Sequence, residues 1–538
     1  MYKSDINKLS LGRADFSDIR NSGKIYVDKT SLIAKMAEYD APIFFSRPRR
    51  FGKSLLVNTL HNLFENGLND FHGLSLEKTW DDSTYKVVHI DFSYYADSES
   101  RELSDSLSRT LIRSFDKNSN DAIFYASKSI LPPNEVLQII CETLKNRSVV
   151  LLIDEYDSPL THHIDDPYEL KRITSILNNF YSVIKSYTSK FRFIFITGVT
   201  RVSHLSIFSA FNNLVDKSFD DDFNTLLGFT DTDIRKSFDD YVENAANILH
   251  LSKKYTYERI KQYYDGFSFT LNGEETLYNP WSILNFFYYP NMGFKNYWFR
   301  SGGTSSIIMQ YLKISDSFDF FNYDDRNILI DEDELTNNYE ITNIPRSILL
   351  LQAGYFTLRN EHDGTVRLIL PNGEVEECLF RLYLKSNNLD PHFELRQKLR
   401  ILENNIDNRN LKTIVNIFND ILNECVSILS NIFTDERSIR DVIYAALIKI
   451  PSLQKVKERE TLKGRSDLEL ITKKTHMVIE FKRTNAFRNA ENSLKDAIEQ
   501  LKEKKYGIEF FENHHLYRVA MVVSTEKKAI LLDFCKEI

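Results

Sequence analysis

Three consecutive residues near the N-terminus, Gly52, Lys53 and Ser54, have the types and the spacing of a phosphate-binding loop. They follow the apolar run 43–45 and a polar loop, and they precede a segment whose leucines repeat at helical spacing. Backbone N–H groups at the start of such a helix point at an anion, and the helix dipole favours negative charge there. Lys53 would reach the β- and γ-phosphates of a nucleotide, and the Ser54 hydroxyl would bind Mg²⁺. The predicted nucleotide contacts in this loop are Arg49, Arg50, Phe51, Gly52, Lys53, Ser54 and Leu55.

Two carboxylates, Asp154 and Glu155, follow the apolar run 149–153. This run predicts a strand buried on both faces, and open α/β sheets place ligands at the carboxyl ends of such strands. Asp154 is predicted to hold Mg²⁺, and Glu155 is predicted to polarise the attacking water. Each feature has an ordinary alternative, because an acidic turn can follow any strand and Arg47 replaces the usual first glycine of the loop. Their presence together, in this order, favours nucleotide binding.

Thr197 ends a further predicted strand, 191–197, and Arg201 follows it in the same loop. Thr197 is in the position of a residue that senses the γ-phosphate. Arg201 could act on phosphate within the subunit, or across a subunit boundary as an arginine finger. A solvated loop arginine is the alternative.

A second group of chemically capable residues, Asp467, Glu480 and Lys482, lies near the C-terminus. Residues 466–471 alternate polar and apolar, 477–481 are mostly apolar, and the pattern predicts a β-hairpin. If residues 473–474 form the loop, Asp467 lies directly opposite Glu480, and Lys482 shares their face. A divalent metal bound by Asp467 and Glu480 would remove the repulsion between them and activate a water, and Lys482 would stabilise developing charge. The alternative is a small α/β module with an exposed, charged hairpin.

The composition bounds the classes that this chain can belong to. Its 538 residues, 42% of them hydrophobic, predict two or three folded domains. We expect a cytoplasmic protein, because there is no apolar run of about 18 residues, no apolar N-terminal signal and no disulfide or metal pattern among the four cysteines. Although the net charge is −8, residues 455–505 contain 14 Lys and Arg against 9 Asp and Glu, which suits a polyanionic substrate. A soluble basic helix would have the same composition.

The N-terminal half resembles the AAA-ATPase-like family of prokaryotic proteins. The matching stretches are 26–30 (YVDKT), 47–56 (RPRRFGKSLL), 151–157 (LLIDEYD), 197–200 (TGVT), 207–214 (IFSAFNNL), 263–267 (YYDGF) and 277–284 (LYNPWSIL). The family loop is itself RPRRFGKS, so the resemblance implies that the missing glycine is a family trait. It also implies that YVDKT lies close to the nucleotide. The predicted strand 86–92, between the two nucleotide motifs, matches the additional-strand class of P-loop ATPases.

Members of this family often end in a PD-(D/E)XK nuclease-like domain, and Asp467, Glu480 and Lys482 resemble its signature. That family also has an acidic residue on an upstream helix. Asp441 fits its usual context loosely, and Glu436 is the competing choice.

The resemblance therefore implies an α/β protein with three parts. Residues 1–230 would form an additional-strand, AAA-like P-loop domain of three layers, residues 231–395 a helical, winged-helix-like lid and connecting region, and residues 396–538 an α/β restriction-endonuclease-like domain. The expected cofactors are ATP and Mg²⁺, and the expected partners are nucleic acid, with DNA preferred, and further copies of the chain. The expected function is ATP-gated, metal-dependent cleavage of DNA. The alternatives are a signalling-type nucleotide switch that binds nucleic acid or protein without cutting, and a scaffold without either activity.

Overall fold

The computed structural model of the protein describes most of the chain. The described residues are 5–115, 131–201, 213–271, 273–300, 327–337, 339, 342–360, 364–386, 393–426, 436–447, 450, 453–461, 464–472, 474–507 and 514–538. They contain three β-sheets with helices packed around them. Of the family-like stretches, most of IFSAFNNL lies outside the described residues.

A parallel sheet forms the centre of the N-terminal part. Its strands are β1 (Ile43–Ser46), β2 (Lys86–Asp91), β3 (Val149–Asp154), β4 (Phe191–Gly198) and β5 (Val215–Asp216). The spatial order is β2-β3-β4-β1-β5. The three strands predicted around 86–92, 149–155 and 191–197 are confirmed. Strand β4 lies between β1, which precedes the P-loop, and β3, which carries Asp154, whereas β2 lies at the edge of the sheet. The order of the strands in space therefore differs from their order in the chain, because packing across the whole sheet determines which strands become neighbours.

Helices surround this sheet. They are α1 (Phe16–Asn21), α2 (Thr30–Ala37), α3 (Lys53–Asn66), α4 (Ser100–Ser114), α5 (Pro133–Thr143), α6 (Ser158–His162) and α7 (Pro167–Ser186). Helix α3 packs against β2 and β3 and begins at the Gly-Lys-Ser motif. Helix α7 begins at Pro167, because Asp166 caps the N–H groups of Tyr168 and Glu169.

The middle part combines helices with a small antiparallel sheet. The helices are α8 (Asp231–Ser237), α9 (Asp239–Leu249), α10 (Lys253–Tyr264), α11 (Pro280–Tyr288), α12 (Tyr297–Arg300), α13 (Glu332–Thr336) and α14 (Arg346–Gln352). The strands are β6 (Asn327–Asp331), β7 (Thr357–Asn360) and β8 (Thr365–Ile369), in the order β6-β8-β7. The YYDGF stretch needs its glycine, because Gly266 has a φ of 108° and a Cβ there would overlap the Pro371 carbonyl.

The C-terminal part is a mixed five-stranded sheet with helices. The strands are β9 (Gln454–Thr461), β10 (Gly464–Ile471), β11 (Thr475–Thr484), β12 (His515–Ser524) and β13 (Ala529–Glu537). The helices are α15 (Gly373–Ser386), α16 (Phe393–Arg400), α17 (Leu402–Asp407), α18 (Leu411–Val426), α19 (Glu436–Leu447) and α20 (Ala490–Lys504). The order is β13-β12-β11-β10-β9, with only β11 and β12 parallel among these pairs. Helix α20 connects the two parallel strands and packs on both of them.

Apolar side chains connect these parts. One continuous core contains Phe45 of the parallel sheet, Leu350 of the middle part and Leu468 of the mixed sheet. Within the described ranges, no helix has both the length and the apolar character that crossing a membrane requires. The boundaries predicted at 230 and 395 stay predictions.

Candidate functional site

A cleft of about 510 Å³ lies beside the loop that connects β1 to α3. Every residue predicted to contact the nucleotide in this loop, from Arg49 to Leu55, lines the cleft. Tyr26 and Val27 of the YVDKT stretch line it too, as does Trp281 of the LYNPWSIL stretch. The guanidinium carbon of Arg50 lies 4.3 Å from the centre of the Trp281 ring. Three family-like stretches, distant in sequence, therefore meet at one opening.

The loop has the backbone of a phosphate site. Gly52 precedes α3 with a φ of 101°, a conformation that suits glycine. Lys53 Nζ donates to the carbonyl oxygens of Arg47, at 2.9 Å, and Pro48, at 3.3 Å. Burial lowers the pKa of Lys53. The Lys53 side chain thus lies folded along the loop. Among the described residues, no carboxylate lies within ion-pair distance of its ammonium group. An anion bound in the cleft would therefore compensate the positive charge of Lys53.

Arg47, at the position of the usual first glycine, has a structural role. It is 1% exposed, and its guanidinium lies 4.2 Å from the ring centres of both Phe45 and Phe269. It donates to the carbonyl oxygens of Ser46, Ser218 and Phe223. Arg47 therefore fixes the start of the loop to the segment that follows β5. This explains how the loop keeps its shape without a glycine there.

Two acids, Asp154 and Glu155, lie at the carboxyl end of β3, and Glu155 lines the cleft. The Ser54 side chain hydrogen-bonds Asp154, and burial raises the pKa of Asp154 to about 6. Glu155 has a φ of 46°, its N–H donates to Asp154 Oδ1 at 2.9 Å, and burial raises its pKa as well. A hydroxyl and a carboxylate in contact are suitable ligands for Mg²⁺, so Ser54 and Asp154 fit the ion that the sequence predicts.

Thr197 and Arg201 have contacts that their predicted roles do not require. Thr197 Oγ1 donates to the Phe45 carbonyl at 2.6 Å, and neither residue lines the cleft. The Arg201 guanidinium is bound by Asp216, at 2.6 Å, and by the Leu335 carbonyl. In this structure Arg201 thus joins β5 to the middle part of the same chain, and its role as an arginine finger stays a prediction.

Sequence reasoning missed Asp157 at this end of the sheet. Its carboxylate accepts hydrogen bonds from the N–H groups of Val199 and Thr200 and from the Thr200 hydroxyl. A Cβ at Gly198 would come within 2.5 Å of it, which explains the glycine of the TGVT stretch. The second aspartate of LLIDEYD was the available signal.

The C-terminal hairpin has the predicted register. Leu468 pairs with Ile479 and Ile471 pairs with His476, as a two-residue loop at 473–474 requires. Asp467 lies one position beyond the last regular pair, and its Oδ2 accepts the Phe481 N–H at 2.8 Å. The predicted register is confirmed, and it brings Asp467 of β10 and Glu480 of β11 to neighbouring positions within the two strands, whereas their catalytic role stays a prediction.

Glu480 is the most perturbed group of this pair. It is 1% exposed, and its Oε2 is buried with no hydrogen-bond partner among the described residues. Its other oxygen binds Lys482 Nζ at 3.1 Å. Burial, followed by the charge of Asp467, raises the pKa of Glu480 to about 8, and burial also raises the pKa of Asp467. Burial opposes the charge of Lys482, but the Glu480 and Glu436 carboxylates raise its pKa overall, so it stays protonated.

The third acid beside this pair is Glu436. Its Oε2 lies 3.8 Å from Lys482 Nζ, and its Oε1 accepts the Arg483 N–H at 2.9 Å. Asp441, the first choice from sequence, is 2% exposed and forms an ion pair with Arg440 at 3.1 Å. The structure favours Glu436, which begins α19 and lies near Lys482, whereas Asp441 lies more than a turn further along the helix and its catalytic role stays a prediction.

The acidic group fits a divalent metal. An orphaned, buried carboxylate oxygen beside a second carboxylate is stabilised when a cation binds between them. Asp467 and Glu480 would hold the metal. The described residues contain no cluster of three His, Cys, Asp or Glu already drawn together as a ligand set.

Behind the pair, sequence reasoning missed a fully buried network in which Glu469 accepts a hydrogen bond from Ser466 and binds His476 Nε2 at 2.9 Å.

Comparison with known proteins supports both domains. A family model described as a predicted AAA-ATPase matches residues 10–208, and a model of the PD-(D/E)XK nuclease superfamily matches residues 434–532. An uncharacterised protein in the vnfD 5′ region of Azotobacter chroococcum mcd 1 is 30% identical over 412 residues, which are 72% of this chain and 72% of that protein. No solved structure gives a significant match. The chain therefore belongs to the AAA-ATPase-like family and carries a PD-(D/E)XK nuclease superfamily domain at its C-terminal end.

Proposed function

We propose that this protein binds and hydrolyses ATP at the loop cleft and, under control of that nucleotide, hydrolyses phosphodiester bonds of DNA at the hairpin acids. The observation that carries the second activity is the buried Glu480 oxygen that lacks a hydrogen-bond partner among the described residues, next to Asp467 and Lys482. A purely structural hairpin would gain stability by replacing these acids, since buried like charges repel each other.

At the nucleotide site, Lys53 exchanges its two carbonyl contacts for phosphate oxygens, and the α3 N-terminus supplies N–H donors. Ser54 and Asp154 would hold Mg²⁺, and the ion would neutralise charge on the transferred phosphoryl group. The raised pKa of Glu155 brings this carboxylate closer to the range in which it can accept a proton from water near neutral pH. The aromatic and aliphatic walls, Val27, Trp281 and Leu284, bury the base.

At the hairpin site, Asp467 and Glu480 would hold Mg²⁺, and the ion would lower the pKa of a water and withdraw charge from the scissile phosphate. Lys482 is held between Glu480 and Glu436, so its ammonium is fixed in direction and stabilises the charge that develops on phosphate oxygens. Because the pKa of Lys482 is raised, it acts as a cation and does not serve as a base.

The contacts between the parts support nucleotide control. The Trp298 indole donates to the Arg49 carbonyl of the P-loop, and the backbone N–H of Trp298 donates to Glu374 Oε1 at 2.9 Å. Glu374 lies on α15, whose Glu377 accepts the Tyr263 hydroxyl. Helix α15 therefore connects the loop that would sense phosphate to α10, and its Glu376 lines a pocket together with Arg440 of α19.

The test measures ATP turnover and plasmid cleavage in one preparation, with Mg²⁺ or Mn²⁺ and with EDTA. We expect Glu480→Gln to lose cleavage and to keep ATP turnover, and Lys53→Ala to lose turnover and the effect of ATP on cleavage. Circular dichroism of each variant controls for folding. Cleavage that persists in Glu480→Gln would refute the nuclease site, and turnover without any cleavage would favour the nucleotide switch.

The ATP turnover assay, applied to mixtures of two variants, tests assembly. We propose that the chain forms homo-oligomers in which Arg201 contributes to a neighbour's nucleotide site. Mixing Arg201→Ala with Lys53→Ala chains restores turnover if the site is shared, whereas mixed chains that stay inactive leave Arg201 with a role within its own subunit or with a structural role.

A further inference from the structure

A second cleft, which we call the junction cleft, lies where the middle part meets the nuclease-like domain. It has a volume of about 440 Å³, within the range of small-ligand pockets. Its walls come from α10, from the start of α15, from α19 and from β9 and β10. The junction cleft is therefore a product of the domain arrangement, and neither of the two sites described above includes it.

Cationic side chains dominate its lining. The five cations are Arg259, Arg437, Arg440, Lys455 and Arg465. Two acids, Glu376 and Asp441, face them. The lining thus carries a net positive charge in a protein whose overall net charge is −8.

Two of these cations are poorly compensated. Arg259 is 4% exposed, its Nη1 donates to Gln262 Oε1 and its buried Nε has no hydrogen-bond partner among the described residues. Lys455 Nζ contacts the Ile450 carbonyl at 3.3 Å, and burial lowers the pKa of Lys455 to about 8. The nearby Glu377 carboxylate is already bound by Arg381 and Tyr263. Because a buried charge without a counter-ion is costly, the cleft is suited to an anion.

The position of the cleft indicates which anion. Arg440 lines it and lies 4.0 Å from Asp467 Oδ1, and Arg437 follows Glu436 directly in α19. Guanidinium groups bind phosphate oxygens in a bidentate manner. A phosphate held in the junction cleft would therefore lie next to the proposed scissile bond.

We propose that the junction cleft binds the phosphate groups of one nucleotide unit, supplied by a single-stranded segment of the substrate that continues beyond the hairpin acids. This inference rests on the proposed action on nucleic acid. It adds that the middle part of the ATPase helps to bind the substrate, through Arg259 of α10.

The test is a binding measurement, so that its failure is distinct from a failure of cleavage. Full-length protein with Lys53→Ala, which silences the P-loop, is titrated in EDTA with a fluorescent single-stranded oligodeoxynucleotide, and anisotropy is recorded. We expect Arg259→Gln with Lys455→Gln to weaken binding by about tenfold or more, because each lost charge-assisted hydrogen bond is worth about tenfold in affinity.

Arg465→Gln removes a cation at the exposed rim, where a folding defect is not expected, and Arg109→Gln on α4 is the matched control. Arg465→Gln should weaken binding uniformly across sequences and reduce the salt slope by about 1, whereas Arg109→Gln should change neither. The proposal would be overturned if the Arg259→Gln/Lys455→Gln and Arg465→Gln proteins fold and bind the oligodeoxynucleotide with unchanged affinity and an unchanged salt slope.

Inorganic triphosphate is the second probe and distinguishes the source of the phosphate. If the cleft variants lose triphosphate binding and keep oligonucleotide binding, the cleft binds a free phosphorylated molecule, and the assignment to substrate is overturned. If they lose the oligonucleotide, the assignment is supported even in a protein that never cuts, an outcome that refutes only the nuclease activity.

Discussion

Replacing Glu480 by glutamine should stabilise the metal-free protein at alkaline pH. The pKa of Glu480 is higher in the folded protein than in the unfolded chain, since burial and Asp467 disfavour its charged form. Between the ordinary carboxyl pKa of about 4.3 and a pKa of about 8, the folded protein holds a proton that unfolding releases. The free energy of unfolding of the wild type therefore falls as the pH rises through this window. Glutamine does not titrate, so its advantage grows over the same window.

The size of the effect follows from the pKa difference. At 1.36 kcal/mol per pKa unit, a carboxyl shifted from about 4.3 to about 8 costs ~5 kcal/mol when fully ionised. Asp467 titrates together with Glu480 and shares part of this cost, so we expect about 2 kcal/mol in favour of Glu480→Gln at pH 8.5. The corresponding increase in Tm is about 4–8 °C, and it should vanish near pH 5.

Thermal unfolding in EDTA, followed by circular dichroism from pH 5 to pH 8.5, measures this difference. The matched control is Glu469→Gln on the neighbouring strand β10, a fully buried residue whose carboxylate has partners in Ser466 and His476. Removing a satisfied buried carboxylate should lower Tm at every pH. Millimolar Mg²⁺ should raise the Tm of the wild type and leave Glu480→Gln unchanged. A Glu480→Gln protein that is less stable than the wild type at pH 8.5 would refute the reasoning.

Three further predictions concern the other residues. ATP at 100 times Kd should stabilise the wild type by about 2.7 kcal/mol and so raise its Tm, and Lys53→Ala should abolish this rise, as measured by differential scanning fluorimetry. Glu436→Gln should reduce plasmid cleavage without loss of stability, whereas Asp441→Asn should lower Tm, because it leaves the buried Arg440 without its ion pair. Arg47→Gly should reduce the free energy of unfolding by about 2–3 kcal/mol in urea titrations, since three carbonyl oxygens lose a charged donor.

The sequence predicted what local periodicity determines. The hairpin register follows from alternation and a short loop, so the sequence alone is enough to place Asp467 and Glu480 together. Local periodicity could not decide whether Glu436 or Asp441 is the third acid of the site, because both lie on α19. The position of α19 relative to β11 depends on tertiary packing. Arg47 appeared as a departure from a motif, and its three carbonyl contacts come from residues up to 176 positions away.

The middle part is where the sequence was least informative and where the structure adds the most to the argument. Its aromatic residues Tyr263 and Trp298 are buried, as a core role predicts, but each also forms a polar contact that crosses between parts of the chain. Trp298 binds the P-loop backbone, and Tyr263 binds α15 beside the junction cleft. A shift of the loop when Lys53 exchanges carbonyl oxygens for phosphate would break or strain the Trp298 contact first. Nucleotide control therefore requires only that this contact has two arrangements that ATP and its hydrolysis products stabilise differently.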